Sequence, residues 1–192
     1  MQRIDWTNLG ARLPGAKSVN VVVDTPAGSR NKFKFDERLG IFRLHKLLPV
    51  GAAFPFDFGF IPGTRGDDGD ALDVLIIGQE RTFTGCLVTV KLLGVIEAEQ
   101  TEKGETIRND RLIGTPETEK IRPELKSLGD LSTRLLDQIE HFFIAYNRAE
   151  GREFVPLGRR GPRSAERMTE EGIRRHRSSS RRPRSAGGRS RR

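Results

Sequence analysis

Four aspartates, Asp67, Asp68, Asp70 and Asp73, fall within seven residues, and the apolar run Val74-Leu-Ile-Ile77 follows at once. Such a run predicts a buried strand, so the carboxylates stand at the mouth of a core element. Carboxylates crowded this closely repel one another unless water or a cation lies between them. Hard oxygen donors of this kind suit Mg²⁺ or Mn²⁺. The bland alternative is a solvated acidic turn, since turns accept Asp freely. An EF-hand does not fit, because glycine lies between the aspartates and no Glu closes a twelve-residue loop.

The flanking segments supply the rest of a small, mainly β domain. Val19-Asn-Val-Val-Val-Asp24 is a β-branched run that ends at the turn-rich Pro26-Ala-Gly-Ser29, as expected of a strand leaving a core. Lys32-Phe-Lys-Phe-Asp36 alternates polar and apolar residues, and Glu37-Arg-Leu-Gly40 makes a hairpin turn into Ile41-Phe-Arg-Leu44. Further strands are expected at Leu72–Ile77 and Leu87–Ile96. Leu131, Leu135, Leu136, Ile139, Phe142, Phe143 and Tyr146 then recur at helical spacing, with Asp130 as N-cap and Gly151 as stop. Short strands joined by glycine-containing turns suggest a compact barrel.

Charge divides the chain unevenly. Residues 158–192 hold thirteen Arg, no Lys and three acids, with few large apolar side chains, which predicts a disordered basic tail. Residues 1–157 carry 21 basic and 23 acidic side chains, so the formal net charge of +8 belongs to the tail. The body is therefore no obvious nucleic-acid binder, although the tail could hold a polyanion without sequence preference. The expected organisation is an N-terminal arm over 1–17, a domain over 18–157 and the tail. A single cysteine, Cys86, excludes an intramolecular disulfide and points to a reducing compartment. Met1–Gly15 has no continuous apolar segment, which predicts a cytoplasmic protein without a membrane anchor. His45, His141 and His176 show no ligand spacing.

Asp68-Gly-Asp-Ala-Leu-Asp-Val74 resembles the signature of the family I soluble inorganic pyrophosphatases, in which Asp-x-Asp-Pro-hydrophobic-Asp precedes a strand. Val21-Val-Val-Asp-Thr-Pro-Ala27, Phe54-Pro-Phe-Asp-Phe-Gly-Phe60 and Ala145-Tyr146 are similar to further segments of that family, so that residues 18–157 are covered. The resemblance implies an α+β, mainly β fold: a five-stranded barrel of OB-like topology flanked by helices. It also implies hydrolysis of pyrophosphate with Mg²⁺, Mn²⁺ being an alternative, and a homo-oligomer. Carried over by position, Asp68, Asp70 and Asp73 are metal ligands, and Asp70 also accepts the proton of the attacking water. Lys32, Lys46, Arg111 and Tyr146 fall at substrate-binding positions, with Asp24 and Asp110 as auxiliary acids.

The departures from the family pattern cluster around this same set. Ala71 stands for Pro, Asp24 for Glu, and Phe54 and Phe58 for tyrosines. Lys34 replaces a Glu, Gln100 and Asn109 take the places of two metal-binding Asp, and Asn147 that of a phosphate-binding Lys. Reduced activity is the expected consequence, because multi-metal hydrolysis tolerates the loss of ligands badly. Two rivals follow: a degenerate relative that binds metal or phosphate without turnover, and an OB-type nucleic-acid module stacking bases on Phe54, Phe56, Phe58 and Phe60.

Overall fold

The computed structural model describes residues 9–118 and 125–180. The β-branched run forms β1 (Val19–Thr25), and all seven of its residues are buried. The alternating segments form an antiparallel hairpin of β2 (Asn31–Asp36) and β3 (Ile41–Leu47), a separate two-stranded sheet in which Lys32 pairs with Lys46. There follow β4 (Asp57–Phe60), β5 (Asp73–Ile76), the long β6 (Leu87–Glu102), β7 (Glu105–Arg108), β8 (Arg111–Pro116), α1 (Thr133–Ala149), β9 (Glu153–Arg160) and α2 (Pro162–Ser180).

Strands β1, β4, β5, β8 and β6 are neighbours in that order, and β6 pairs back onto β1, which closes the expected five-stranded ring. Only β5 and β8 run parallel. Beyond the ring, β6 continues far enough to carry β7 and β9. The strands cross so closely that a Cβ on Gly59 would lie 2.2 Å from the Val22 carbonyl oxygen, which leaves room for glycine alone.

Strand parity sorts the apolar run after the aspartates into two cores. Val74 and Ile76 pack with Val21, Val23, Val90 and Leu112, whereas Leu75 and Ile77 pack with Phe54, Phe58, Ile113, Ile139 and Phe143. Both faces of β5 are buried, so its sequence lacks the polar alternation of β2. Helix α1 covers the second core through Leu136, Ile139 and Phe143. Its N-cap is Ser132, whose side chain accepts from the Leu135 N–H, rather than Asp130. Asp130 instead closes a capping box with Ser127 on a 3-10 turn at Leu128–Asp130.

The expected tail boundary at Gly158 is corrected. Arg159 and Arg160 complete β9 on β6, paired with Ile96 and Val95. Pro162 then opens α2, a position where its missing N–H costs nothing. Ala165, Met168, Thr169, Gly172 and Ile173 recur at helical spacing on the face turned to the barrel. Ala165 and Thr169 are fully buried there, Met168 and Ile173 pack on the first core, and the Gly172 carbonyl accepts from the Arg65 N–H at 3.0 Å. Composition averaged over the segment hides this stripe among the arginines. Residues 181–192, the remainder of the predicted tail, lie outside the described residues, as do residues 1–8 of the predicted arm. The rest of the arm is tied down by Asn20, whose backbone donates to the Ala11 carbonyl at 2.8 Å and whose side chain donates to that of Gly10 at 2.9 Å. Among the described residues no helix is long and apolar enough to cross a membrane.

Burial of the α2 stripe makes the helix part of the folding unit. A chain ending at Arg160 is expected to melt on the order of 10 °C below one ending at Ser180, because it exposes several apolar side chains of the first core. Calorimetric melts of the two truncations check this, and equal midpoints would refute it.

Candidate active site

The aspartate loop is shaped by its own backbone. The Gly66 N–H donates to the Asp70 carbonyl at 2.7 Å, Gly69 adopts φ 88°, and the Asp68 carboxylate accepts from the Asp70 N–H at 3.0 Å. A Cβ on Gly66 would lie 2.9 Å from that carboxylate and would push it from its place in the turn. Thr64 anchors the return, accepting from the Leu72 N–H at 3.0 Å. Asp73 then enters β5 opposite Phe60.

Asp68, Asp70 and Asp73 line one cavity of about 350 Å³ together with Asp24 from β1, Lys32 and Lys34 from β2, Lys46 from β3, Arg111 from β8 and Tyr146 from α1. Lys32 and Lys34 are two apart on one strand and reach the same face. Every cation among them is already paired. Lys32 Nζ meets both Asp24 oxygens at 2.9 Å and lies 4.2 Å from the centre of the Phe58 ring. Lys34 Nζ contacts Asp70 Oδ2 at 2.8 Å, Lys46 Nζ contacts Glu150 Oε2 at 2.5 Å, and Arg111 Nη1 contacts Asp73 Oδ2 at 2.9 Å. Arg111 is 5% exposed, and its guanidinium lies 5.3 Å from the Phe143 ring and 5.6 Å from the Phe154 ring. The same group donates to the Asp110 carbonyl at 3.1 Å and to Asn109 Oδ1.

The electrostatics follow this crowding. Burial raises the Asp68 pKa, and the neighbouring charges of Asp73 and Asp70 push it the same way. Burial also raises Asp24, although Lys32 opposes the shift. For Lys34, burial works against the charged form, but Asp70, with Asp73 and Asp68 behind it, outweighs it and the pKa rises. Its ammonium therefore feels all three aspartates. Tyr146 is shifted upward mainly by burial, so its hydroxyl keeps its proton.

Part of the cavity wall is neutral. Asn109 donates to Gln100 Oε1 at 2.9 Å, and Asn147 is buried and donates to the Phe143 carbonyl at 2.9 Å. The expectation for Asp110 is corrected. Its carboxylate does not line this cavity: it accepts from the Ala98 N–H at 2.8 Å, pairs with Arg108 at 2.8 Å, and faces an adjacent cavity of about 230 Å³. Asp110 lies between β7 and β8, where its carboxylate is held by the Ala98 N–H, and it meets Asp68 and Asp73 only across that adjacent cavity, which they also line. Glu102 does reach the cavity, paired with Arg152 at 2.8 Å. His45 also lines it, although its spacing gave no hint, and burial followed by Lys46, Lys34 and Lys32 lowers its pKa. Two of the four aromatics expected for base stacking are not available to it, because Phe54 and Phe58 are 1% and 4% exposed and belong to the core.

The aspartate side of the cavity fits a hard divalent cation, because Asp68, Asp70 and Asp73 bring carboxylate oxygens to one cavity. The Gln100–Asn109 pair offers such an ion only neutral amide oxygens. Among the described residues no three acidic, His or Cys side chains converge on a common point, because Lys34 and Arg111 draw Asp70 and Asp73 to themselves.

Comparison with known proteins agrees with this arrangement. The family model of inorganic pyrophosphatase matches residues 21–177. The chain is similar to an inorganic pyrophosphatase of Synechocystis, 36% identical over 145 residues that cover 76% of this chain and 83% of that one. A second, from Geobacillus stearothermophilus, is 32% identical over 160 residues, 83% of this chain and 94% of its own. The crystal structure of inorganic pyrophosphatase from Thermus thermophilus superposes with a TM-score of 0.82 at 28% identity, covering 90% of this chain and 99% of that one.

The Asp24–Lys32 pair is buried, with side chains 8% and 12% exposed. Lys32→Met, which leaves the carboxylate buried without its counter-ion, is expected to cost about 3 kcal/mol at neutral pH. The Asp24 pKa is raised in the folded chain, and losing Lys32 raises it further. A carboxyl with a raised folded pKa binds more protons folded than unfolded, so stability falls as pH climbs from the ordinary Asp value through the raised one. The deficit of Lys32→Met relative to wild type therefore shrinks on acidification. Urea melts at neutral and mildly acidic pH test this, and an equal deficit at both would contradict it.

Proposed function

The chain belongs to the inorganic pyrophosphatase family, and on that premise we propose that its cavity binds pyrophosphate and hydrolyses it with Mg²⁺, more slowly than a site with a full acidic set would. One observation carries the reading: Asp68, Asp70 and Asp73 from one loop line the same cavity as Lys32, Lys46, Arg111 and Tyr146 from four other elements. Carboxylates for a cation thus face donors for phosphate oxygens.

In this reading Asp68, Asp70 and Asp73 hold the divalent cation, with Mn²⁺ able to replace Mg²⁺. The ion, when bound, lowers the pKa of a water and steadies charge developing on the phosphate oxygens. Asp70 is exposed, its side chain 63%, and a carboxylate oxygen left free by the ion would accept the proton as the water oxygen attacks phosphorus. The bridging P–O bond breaks, and its electron pair leaves with the second phosphate. Lys32 and Lys46 bind phosphate oxygens as point charges, Arg111 as a fixed guanidinium, and Tyr146 donates its hydroxyl. Asp24 orients Lys32. The reduced rate follows from the Asp70–Lys34 pair, which occupies the base, and from the neutral Gln100–Asn109 wall.

Those same two features favour a second reading, binding of metal and phosphate without turnover. Around the site we place self-association, a cytoplasmic location and non-specific polyanion binding through residues 181–192, which carry six Arg and no acid.

Phosphate release from pyrophosphate by the full chain with Mg²⁺ separates hydrolysis from binding alone. Asp70→Asn is expected to lower the rate about a hundredfold or more. Release by wild type that persists unchanged in Asp70→Asn would remove Asp70 from the role of base, and no release above background by wild type would leave only the binding reading.

A further inference from the structure

Two protein cations sit on the aspartate cluster, and they are not equivalent. Arg111 is fixed: its side chain is 6% exposed, flanked by the Phe143 and Phe154 rings, and tied to Asp110, Asn109 and Asp73. Lys34 is not. Its side chain is 54% exposed, its one ion pair is to Asp70, and it hangs from the β2–β3 hairpin, a sheet separate from the barrel. An exposed Lys–Asp pair contributes little, so the Lys34 ammonium can leave at small cost whereas the Arg111 guanidinium cannot.

We infer that Lys34 is a tethered cation that competes with a divalent metal ion for Asp70 and, once displaced, becomes a contact for the phosphate anion. The inference rests on the proposed function in that it takes the aspartates to be the metal ligands. An ammonium 2.8 Å from Asp70 Oδ2 takes one oxygen of that carboxylate and repels a cation approaching the other. A metal ion at Asp70 therefore binds against Lys34 and favours its displacement. The released ammonium stays on the strand face that Lys32 shares, inside the cavity. There it finds a new partner when a phosphate anion is bound. Metal alone thus binds against a penalty, and metal with anion binds without it. The two ligands are coupled through a residue of the chain, in addition to their direct attraction for each other.

The experiment is a calorimetric Mn²⁺ titration of the full chain, with and without imidodiphosphate, an analogue whose bridging nitrogen resists hydrolysis. Lys34→Gln is expected to tighten Mn²⁺ binding about tenfold without the anion, because a competing charge has gone. The same variant is expected to shrink the tightening that imidodiphosphate produces. Lys34→Arg, which keeps the charge, is expected to retain the weak metal binding of wild type. Unchanged Mn²⁺ affinity in Lys34→Gln would overturn the competition, and tighter Mn²⁺ with undiminished coupling would overturn the phosphate contact. An Asp70→Asn control separates the two levels of the argument. If wild type binds Mn²⁺, Asp70→Asn abolishes binding and Lys34→Gln leaves it unaltered, the proposed metal site stands and only the role of Lys34 falls. If neither wild type nor Lys34→Gln takes up Mn²⁺, both fall together.

Discussion

The ion pair between Arg111 and Asp73 joins the barrel to everything else in the site. Each residue opens its strand, and because β5 and β8 are parallel neighbours the two side chains emerge at the same end of the ring. A buried guanidinium is expensive unless its partners are fixed. Here the partners are Asp73, the Asp110 carbonyl and two aromatic faces, one from α1 and one from β9. The position of the aspartate loop relative to α1 is therefore set by the same contacts that neutralise Arg111. A substitution there would be felt by barrel, helix and cavity alike.

Exposure, more than charge count, decides how the remaining cations behave. Lys32 is buried against Asp24 and Phe58 and acts as part of the wall. Lys46 leans on Tyr146 and Glu150, partly buried. Lys34 is the least buried of the three, its side chain 54% exposed. Three lysines that look alike in the sequence thus differ in how much free energy holds them in place, and only the least restrained can exchange partners at little cost.

Much of the fold was legible because the period-2 and β-branched signals of β1, β2, β3 and β5 are local. The aspartate cluster was legible because crowded carboxylates before an apolar run demand an explanation. The failures have physical causes too. Helix α2 was lost because composition over thirty-five residues outweighed a five-residue stripe, and a stripe of Ala, Thr and Gly contributes little to any hydrophobic average. Asp110 was placed in the site by proximity in sequence, but its carboxylate is taken by the Ala98 N–H and by Arg108, contacts that no local pattern announces. His45 could not have been found, since it enters the cavity only because β3 folds back on β2.

The pairing of every lysine and arginine named in the site has a consequence for recognition. Lys32, Lys34, Lys46 and Arg111 each face a carboxylate already, so an anion that draws one of them away exchanges with its acid, most readily at Lys34, the least buried. Each exchange frees a carboxylate, and each freed carboxylate is a ligand seeking a cation. Anion and metal therefore favour each other even before they touch, because what one displaces the other neutralises. The Gln100–Asn109 pair brings no charge of its own to such exchange, Asn109 accepting from the same Arg111 Nη1 that meets Asp73. A site built in this way confines the coupling to its aspartate side, which is where the hairpin carrying Lys34 meets the loop carrying Asp70.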